Sequence, residues 1–151
     1  MMCRTNIEKQ GGYLDMVAGL EISITLTIAA AAALLNLWLM MRCGKARMAN
    51  KVSIGDGGDE FVIRRMRAHA NFIESTPIVL ILIAALEISG GTSTWLWAVG
   101  ITYIVGRIAH GFGMDGGSLE KGRMIGTLIT MLTLLGLAAM ALISVYSKLG
   151  G

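Results

Sequence analysis

Three stretches of this chain contain no Asp, Glu, Lys or Arg, and they restrict the fold more than any other feature. They cover residues 22–41, 88–106 and 124–147, and each has about the roughly 20 residues that a helix needs to cross a bilayer. A fourth run, residues 68–86, carries Glu74 as its single formal charge. Because 54% of all residues are apolar and 15% are charged, the chain is predicted to be an integral membrane protein.

These runs predict an all-α protein that forms one four-helix bundle in the membrane. Spans are expected at about residues 16–42, 61–88, 94–113 and 121–147, so that residues 1–151 make a single domain. Cys3 and Cys43 would then lie on opposite membrane faces and could not pair within one subunit. We expect neither a disulfide nor a metal site, and no nucleic-acid partner.

Lys and Arg are unevenly distributed between the connections, and this predicts the orientation. The first connection with its flanks, residues 42–67, holds seven of them, and the third connection adds three. The opposite side of the bundle also holds three. By the positive-inside rule, the first and third connections face the cytoplasm, and both termini lie on the non-cytoplasmic side.

The predicted second helix carries a stripe of polar side chains. Arg64, Arg67, Asn71 and Glu74 fall at positions i, i+3, i+7 and i+10, which confines them to an arc of about 80° on a helix. A charged group inside a span costs on the order of 2.5 to 3.5 kcal/mol, so such groups usually face protein or a ligand. Two interpretations therefore stay open: a structural ion-pair network that locks helices together, or a binding site.

Polar residues from the other helices are expected at the same depth as this stripe. The first and third helices end, and the second and fourth begin, towards one membrane face in the predicted topology. His69 is expected to point away from the stripe. The residues expected to converge with it are Arg42 at the end of helix one, Tyr103, Arg107 and His110 on helix three, and Arg123, Thr127 and Thr130 on helix four.

With these residues and four predicted spans, the chain resembles a known family, the MAPEG family of membrane-associated proteins in eicosanoid and glutathione metabolism. The specific part is Arg-Ala-x-x-Asn-x-x-Glu followed by Pro at residues 67–77, together with Gly-Arg-Ile-Ala-His at residues 106–110. The likeness covers about residues 16–147 and includes the basic residues Arg42, Lys45 and Arg123. It implies a homotrimer that binds glutathione between neighbouring subunits, near the cytoplasmic face.

The resemblance also implies roles for individual residues. An arginine near the start of helix four, here Arg123, would favour the thiolate of glutathione, assisted by the helix N-terminus. Arginines can clamp the two carboxylates of the tripeptide, while Glu74 could take its ammonium group and Asn71 a backbone amide. A lipophilic electrophile or hydroperoxide would then arrive from the bilayer. The substrate-binding residues expected are Arg42, Arg67, Asn71, Glu74, Arg107 and His110.

Two positions depart from the pattern of the members that make eicosanoids. Those members have tyrosines where this chain has Met114 and Thr127, so prostaglandin or leukotriene specificity is not expected. In its composition and short connections, the chain resembles a bacterial member of the family. We therefore expect it in the inner membrane. The chain is thus predicted to be a glutathione S-transferase-like enzyme that could also have peroxidase activity.

A second class of function stays open. A four-span protein with one intramembrane acid also resembles small proton-coupled exporters. The chain could therefore be a non-catalytic transporter, or a non-catalytic scaffold. Glu74 discriminates between the classes, because an exporter needs an isolated, titrating acid. The arginines in register with Glu74 favour an ionised, paired carboxylate and hence the enzyme.

Overall fold

The computed structural model describes residues 21–150, and every regular element within them is helical. Four long helices follow one another along the chain, so the all-α membrane bundle is confirmed. The expectation for Cys3 and the first residues of the first predicted span lie outside the described residues. The elements are α1 (Ser23–Ala49), α2 (Glu60–Gly90), α3 (Thr94–Gly113), a short 3-10 turn (Gly117–Leu119) and α4 (Glu120–Leu149).

Three of these helices, α1, α2 and α4, are long and apolar enough to cross a membrane by length and composition. The shorter α3 has 20 residues, and its crossing of the bilayer stays a prediction from the charge-free run at residues 88–106. Many large apolar side chains on the outside are exposed, among them Leu34 and Leu135. Exposed aliphatic side chains along the spans suit a lipid environment, in which they need no protein cover.

The end of α1 differs from the prediction, because the helix does not stop near residue 42. It continues for about two more turns to Ala49. Residues 43–49 are mostly Ala, Lys, Arg and Met, which favour helices, and Ala46 is buried in the bundle. Hydropathy reports only where the helix leaves the lipid, so it could not show that the helix runs on into the headgroup region.

The start of α2 is acidic, which suits the positive end of a helix dipole. Asp59 is the N-cap residue, and its carboxylate accepts a hydrogen bond of 2.9 Å from the backbone N–H of Val62. An N-cap side chain satisfies one of the donors that the first helical turn leaves unpaired. The helix is continuous through Pro77 and ends at Gly90. Its C-cap residue is Gly91, whose φ of +77° requires a residue without a Cβ.

The start of α1 is capped from another helix, by Glu87 near the end of α2. The Glu87 carboxylate accepts hydrogen bonds of 2.8 Å from the backbone N–H groups of Ile24 and Thr25, and one of 2.7 Å from the Thr25 hydroxyl. α1 has no cap from its own Ile22 side chain. The sequence did not predict this role, because Glu87 lies 62 positions from Thr25.

The helices pack as two pairs, α1 on α2 and α3 on α4. One apolar core cluster lies towards the Glu87 end and includes Ile24, Ile83 and Leu96. A second cluster, with Leu39 and Phe72, lies towards the opposite end. The polar residues singled out in the sequence lie near this second cluster.

Candidate functional site

A polar cavity of about 330 Å³ opens between α2, α3 and the start of α4. It brings together five of the seven residues predicted from the sequence. Of the other two, Arg107 lies buried beside the cavity lining, and Arg42 lies elsewhere. The lining residues are Arg67, Ala70, Asn71, Glu74, His110, Met114 and Arg123.

α2 supplies one wall of this polar cavity. Arg67, Asn71 and Glu74 follow one another at helical spacing, as the stripe predicted. Within residues 21–150, neither Arg67 nor Glu74 forms an ion pair, with each other or with any other side chain. The structural ion-pair network, one of the two open interpretations, is therefore not formed in this part of the chain.

Arg107 of α3 is only 1% exposed, and within residues 21–150 one of its three guanidinium nitrogens makes hydrogen bonds. Its Nη1 donates to the Asn71 side-chain oxygen at 2.7 Å and to the Thr130 hydroxyl at 3.2 Å, and its guanidinium lies 5.5 Å from the ring centre of Phe72. No carboxylate within the described chain pairs with it, and its Nε and Nη2 have no hydrogen-bond partner. A buried cation without a counter-charge is costly, and such a position usually serves a ligand or a function.

His110 lies one turn further along α3 and lines the polar cavity. Its side chain is buried, and its Nδ1 makes no hydrogen bond within residues 21–150. Tyr103, on the other side of Arg107, has a different role. Its hydroxyl is 2.9 Å from that of Thr76 and 3.3 Å from that of Ser75, so it joins α3 to α2 inside the core.

Two glycines of α4 allow a close approach to α3 beside the cavity. A Cβ at Gly122 or Gly126 would lie 2.7 or 2.4 Å from a backbone carbonyl oxygen of α3, which is closer than real Cβ atoms come. Only glycine fits such an approach. Arg123 lies between these glycines, so their contact brings its side chain to the same cavity as His110. Sequence reasoning missed this role, although the spacing of four residues between small side chains was a usable signal.

The Arg123 side chain is exposed, and its ion pair with Glu120 is long, at 3.9 Å. Thr127 donates its hydroxyl back to the Arg123 carbonyl at 2.9 Å and so bonds within its own helix. Thr130 does the same with Gly126 at 2.9 Å while accepting from Arg107. Arg123 therefore keeps most of its hydrogen-bonding capacity for another group.

Arg42 lies outside the polar cavity of its own chain. Its Nη1 donates to the carbonyl of Gly111 at 2.8 Å, and its Nη2 pairs with the carboxylate of Asp115. The guanidinium also lies 4.4 Å from the ring centre of Trp38, where cation–π attraction supports it. In this chain Arg42, about two turns before the end of α1, thus ties α1 to the end of α3.

Asp115 is a residue that the sequence reasoning missed. It follows α3 directly and pairs with Arg65 of α2 at 2.8 Å, as well as with Arg42. Its position in a glycine-rich connection, opposite an excess of arginines, was the signal that could have found it. His69 agrees with expectation, because it points away from the cavity and its Nε2 is 2.9 Å from the Asn36 side-chain oxygen.

Comparison with known proteins supports the resemblance seen in the residues. The sequence model of the MAPEG family matches residues 25–143. Inner membrane protein YecN of Escherichia coli strain K12 is 30% identical over 90 residues, which cover 57% of this chain and 69% of that protein. The protein of the same name from Escherichia coli O6:H1 matches with the same identity and coverage.

Proposed function

The chain belongs to the MAPEG family, and we propose that it is a membrane-bound, glutathione-dependent transferase or peroxidase. One observation carries the proposal. The polar cavity gathers two guanidinium groups, one amide and one carboxylate, and Arg67 and Glu74 have no ion-pair partner within residues 21–150. These groups are therefore available to a ligand.

Glutathione has the charge pattern that complements this set. It carries two carboxylates, one ammonium group and one thiol. Arg67 can bind a carboxylate bidentately, and Glu74 can accept from the ammonium group. Because Arg107 donates to the Asn71 side-chain oxygen, Asn71 keeps its amide N–H groups as donors towards a peptide carbonyl of the ligand.

Arg123 is the proposed thiol-activating residue. A free thiol has a pKa of about 8.5, so most of it is protonated at neutral pH. A guanidinium and a helix N-terminus close to the sulfur lower that pKa and favour the thiolate. The thiolate then attacks an electrophilic carbon and displaces an anionic leaving group. Alternatively it attacks the terminal oxygen of a hydroperoxide, which breaks the O–O bond, forms the sulfenic acid of glutathione and releases an alkoxide that takes a proton from water. A second glutathione then converts the sulfenic acid to the disulfide and water.

The open side of the cavity supports assembly with a neighbouring copy, and the family resemblance makes the proposed assembly a homotrimer. Arg67 and Glu74 are exposed in the single chain, although Glu74 lies about 20 Å along α2 from either Glu60 or Glu87, near the middle of the span. Leaving such charges towards lipid would cost on the order of 2.5 to 3.5 kcal/mol each. A neighbouring copy would cover them and enlarge the cavity, whose 330 Å³ is at the small end of the roughly 300 to 1,000 Å³ of ligand sites.

The remaining predictions fit the same proposal. The second substrate is a lipophilic small molecule that enters from membrane lipid, and the protein lies in a bacterial inner membrane with both termini on the non-cytoplasmic side. The relatives are inner membrane proteins by name. Arg42 as a glutathione ligand requires that it reach the cavity of a neighbouring subunit, because it lies outside that of its own chain.

The test is conjugation of glutathione to a chlorinated nitrobenzene by purified protein. Arg123→Ala should lower turnover by about 100-fold, the usual loss when one group that stabilises a reacting anion is removed. The matched control is Lys121→Ala, which removes an exposed cation two positions away and should leave turnover close to that of the unmodified protein. Normal turnover in Arg123→Ala would refute the assignment of Arg123.

A proton-coupled transporter is the alternative that one observation favours, because Glu74 has no ion-pair partner within the described residues. Calorimetric titration with glutathione separates the two functions. The enzyme requires saturable binding that Glu74→Gln weakens. Absence of glutathione binding, together with pH-driven export that depends on Glu74, would replace the enzyme by the transporter.

A further inference from the structure

A second cleft, of about 310 Å³, lies between the last turns of α1 and the first two turns of α2. We call it the α1–α2 cleft. It shares no lining residue with the polar cavity of its own chain. Lys45, Arg65 and Phe61 belong to this cleft alone, whereas Arg42 is also the proposed ligand in the cavity of a neighbouring subunit. Its lining residues are Arg42, Lys45, Ala46, Ala49, Phe61 and Arg65.

The charges around the α1–α2 cleft do not balance. Arg42 and Arg65 share a single carboxylate, that of Asp115. Lys45 is exposed and forms no ion pair within the described part of the chain. Three cationic groups against one carboxylate leave a formal excess of two positive charges, which attracts an anion.

The floor of the cleft is apolar. Ala46 is buried and Ala49 lies one turn beyond it on the same helix face. The ring of Phe61 is exposed, and the Arg65 guanidinium lies 4.9 Å from its centre. A free, hydrated phosphate ion would gain nothing from such walls, whereas an anion attached to hydrocarbon would bury apolar surface against them.

The depth of the cleft fits the headgroup region of the bilayer. Arg42 is the first charged residue after the charge-free run at residues 22–41, so it marks the point where α1 leaves the hydrocarbon. At 1.5 Å per residue, Lys45 and Ala49 lie about 4.5 and 10 Å further out. A lipid phosphate lies at this level of the bilayer.

We infer that the α1–α2 cleft binds the headgroup of an anionic phospholipid from the leaflet predicted to be cytoplasmic. Lys45 donates to the phosphate, with Arg65 beside it, and the glycerol and upper acyl chain lie against Phe61. Basic residues next to a span attract anionic lipid generally. The cleft adds a shape and an apolar floor, which together make one saturable position per chain.

Native mass spectrometry of the protein in detergent tests the inference, with phosphatidylglycerol or phosphatidylcholine added. One phosphatidylglycerol per chain should bind in preference to phosphatidylcholine. Lys45→Gln should weaken it by about fivefold, since one basic residue at a membrane surface contributes about that factor. Phe61→Ala is the second variant, and it should weaken the lipid without changing any charge.

The matched control is Lys51→Gln, which removes an exposed cation from the same connection but outside the cleft. It should leave the tightly bound phosphatidylglycerol in place. Equal losses for Lys45→Gln and Lys51→Gln would show diffuse surface attraction and overturn the inference. Displacement of the lipid by millimolar inorganic phosphate would also overturn it, because the cleft would then serve a free anion.

Discussion

Among residues 21–150, each end of the bundle buries one formally charged side chain, and the two side chains are bonded in opposite ways. Glu87 and Arg107 are both only 1% exposed. Both Glu87 oxygens accept hydrogen bonds from the start of α1, whereas Arg107 leaves two nitrogens without a partner in the described chain. A buried charge that is fully bonded stabilises the fold, while one that is partly bonded stabilises it little and keeps its capacity for a ligand.

The largest expected effect is at the Glu87 end. Glu87→Leu should lower the free energy of unfolding by about 3 kcal/mol, because it leaves buried N–H groups of α1 without an acceptor. Denaturant unfolding in detergent measures this loss. The control is Glu21→Leu, which removes an exposed carboxylate near the same helix end. Similar stability for Glu87→Leu and Glu21→Leu would show that the hydrogen bonds of Glu87 do not stabilise the fold.

The next effect concerns the close approach of α3 and α4 at the other end. Gly126→Ala places a Cβ 2.4 Å from a carbonyl oxygen of α3 and 2.5 Å from the His110 Cβ, so it should destabilise the protein by about 2 kcal/mol. Gly136→Ala is the control on the same helix, because no atom lies within 4 Å of its Cβ. It should be neutral or slightly stabilising. Thermal unfolding of both variants measures the difference.

Arg107→Met separates binding from stability. Glutathione affinity should fall by at least about tenfold, since a charge-assisted hydrogen-bond network is lost. The free energy of unfolding without ligand should change by no more than about 1 kcal/mol, because replacing an uncompensated buried charge by an apolar side chain is often neutral. Calorimetric titration and denaturant unfolding give the two values. A loss of stability as large as that of Glu87→Leu would show that Arg107 is structural.

The smallest expected effect concerns a single hydrogen bond to Glu87, the one from the Thr25 hydroxyl. Thr25→Val removes one hydrogen bond to the Glu87 carboxylate and should lower the free energy of unfolding by about 1 kcal/mol. Thr27→Val is the control, because the Thr27 hydroxyl bonds only to Ser23 of its own helix, at 2.8 Å. An equal loss in the free energy of unfolding for both variants would show that the hydrogen bond between α1 and α2 stabilises the protein no more than a bond within one helix.

The helices could be predicted because their signal is local. The spans predicted from hydropathy and charge located α2, α3 and α4 to within a few residues. The predicted end of α1 was wrong, because a helix can continue among charged residues once it has left the lipid. Five of the seven predicted site residues line one cavity. Three of them share a face of α2 because of their spacing on that helix, whereas His110 and Arg123 reach the cavity through the packing of α3 and α4.

By itself, the sequence determined that the chain lies in a membrane, that it is helical, and that α2 presents a polar stripe. These properties depend on hydropathy and on a period of about 3.6 residues, which any short stretch of chain expresses. The tertiary structure alone decided that Glu87 is satisfied, that Arg107 is not, and that Arg42 pairs with Asp115 instead of reaching the polar cavity. Hydrogen bonds and ion pairs form over a few ångströms between residues far apart in the chain, so only packed helices can set them.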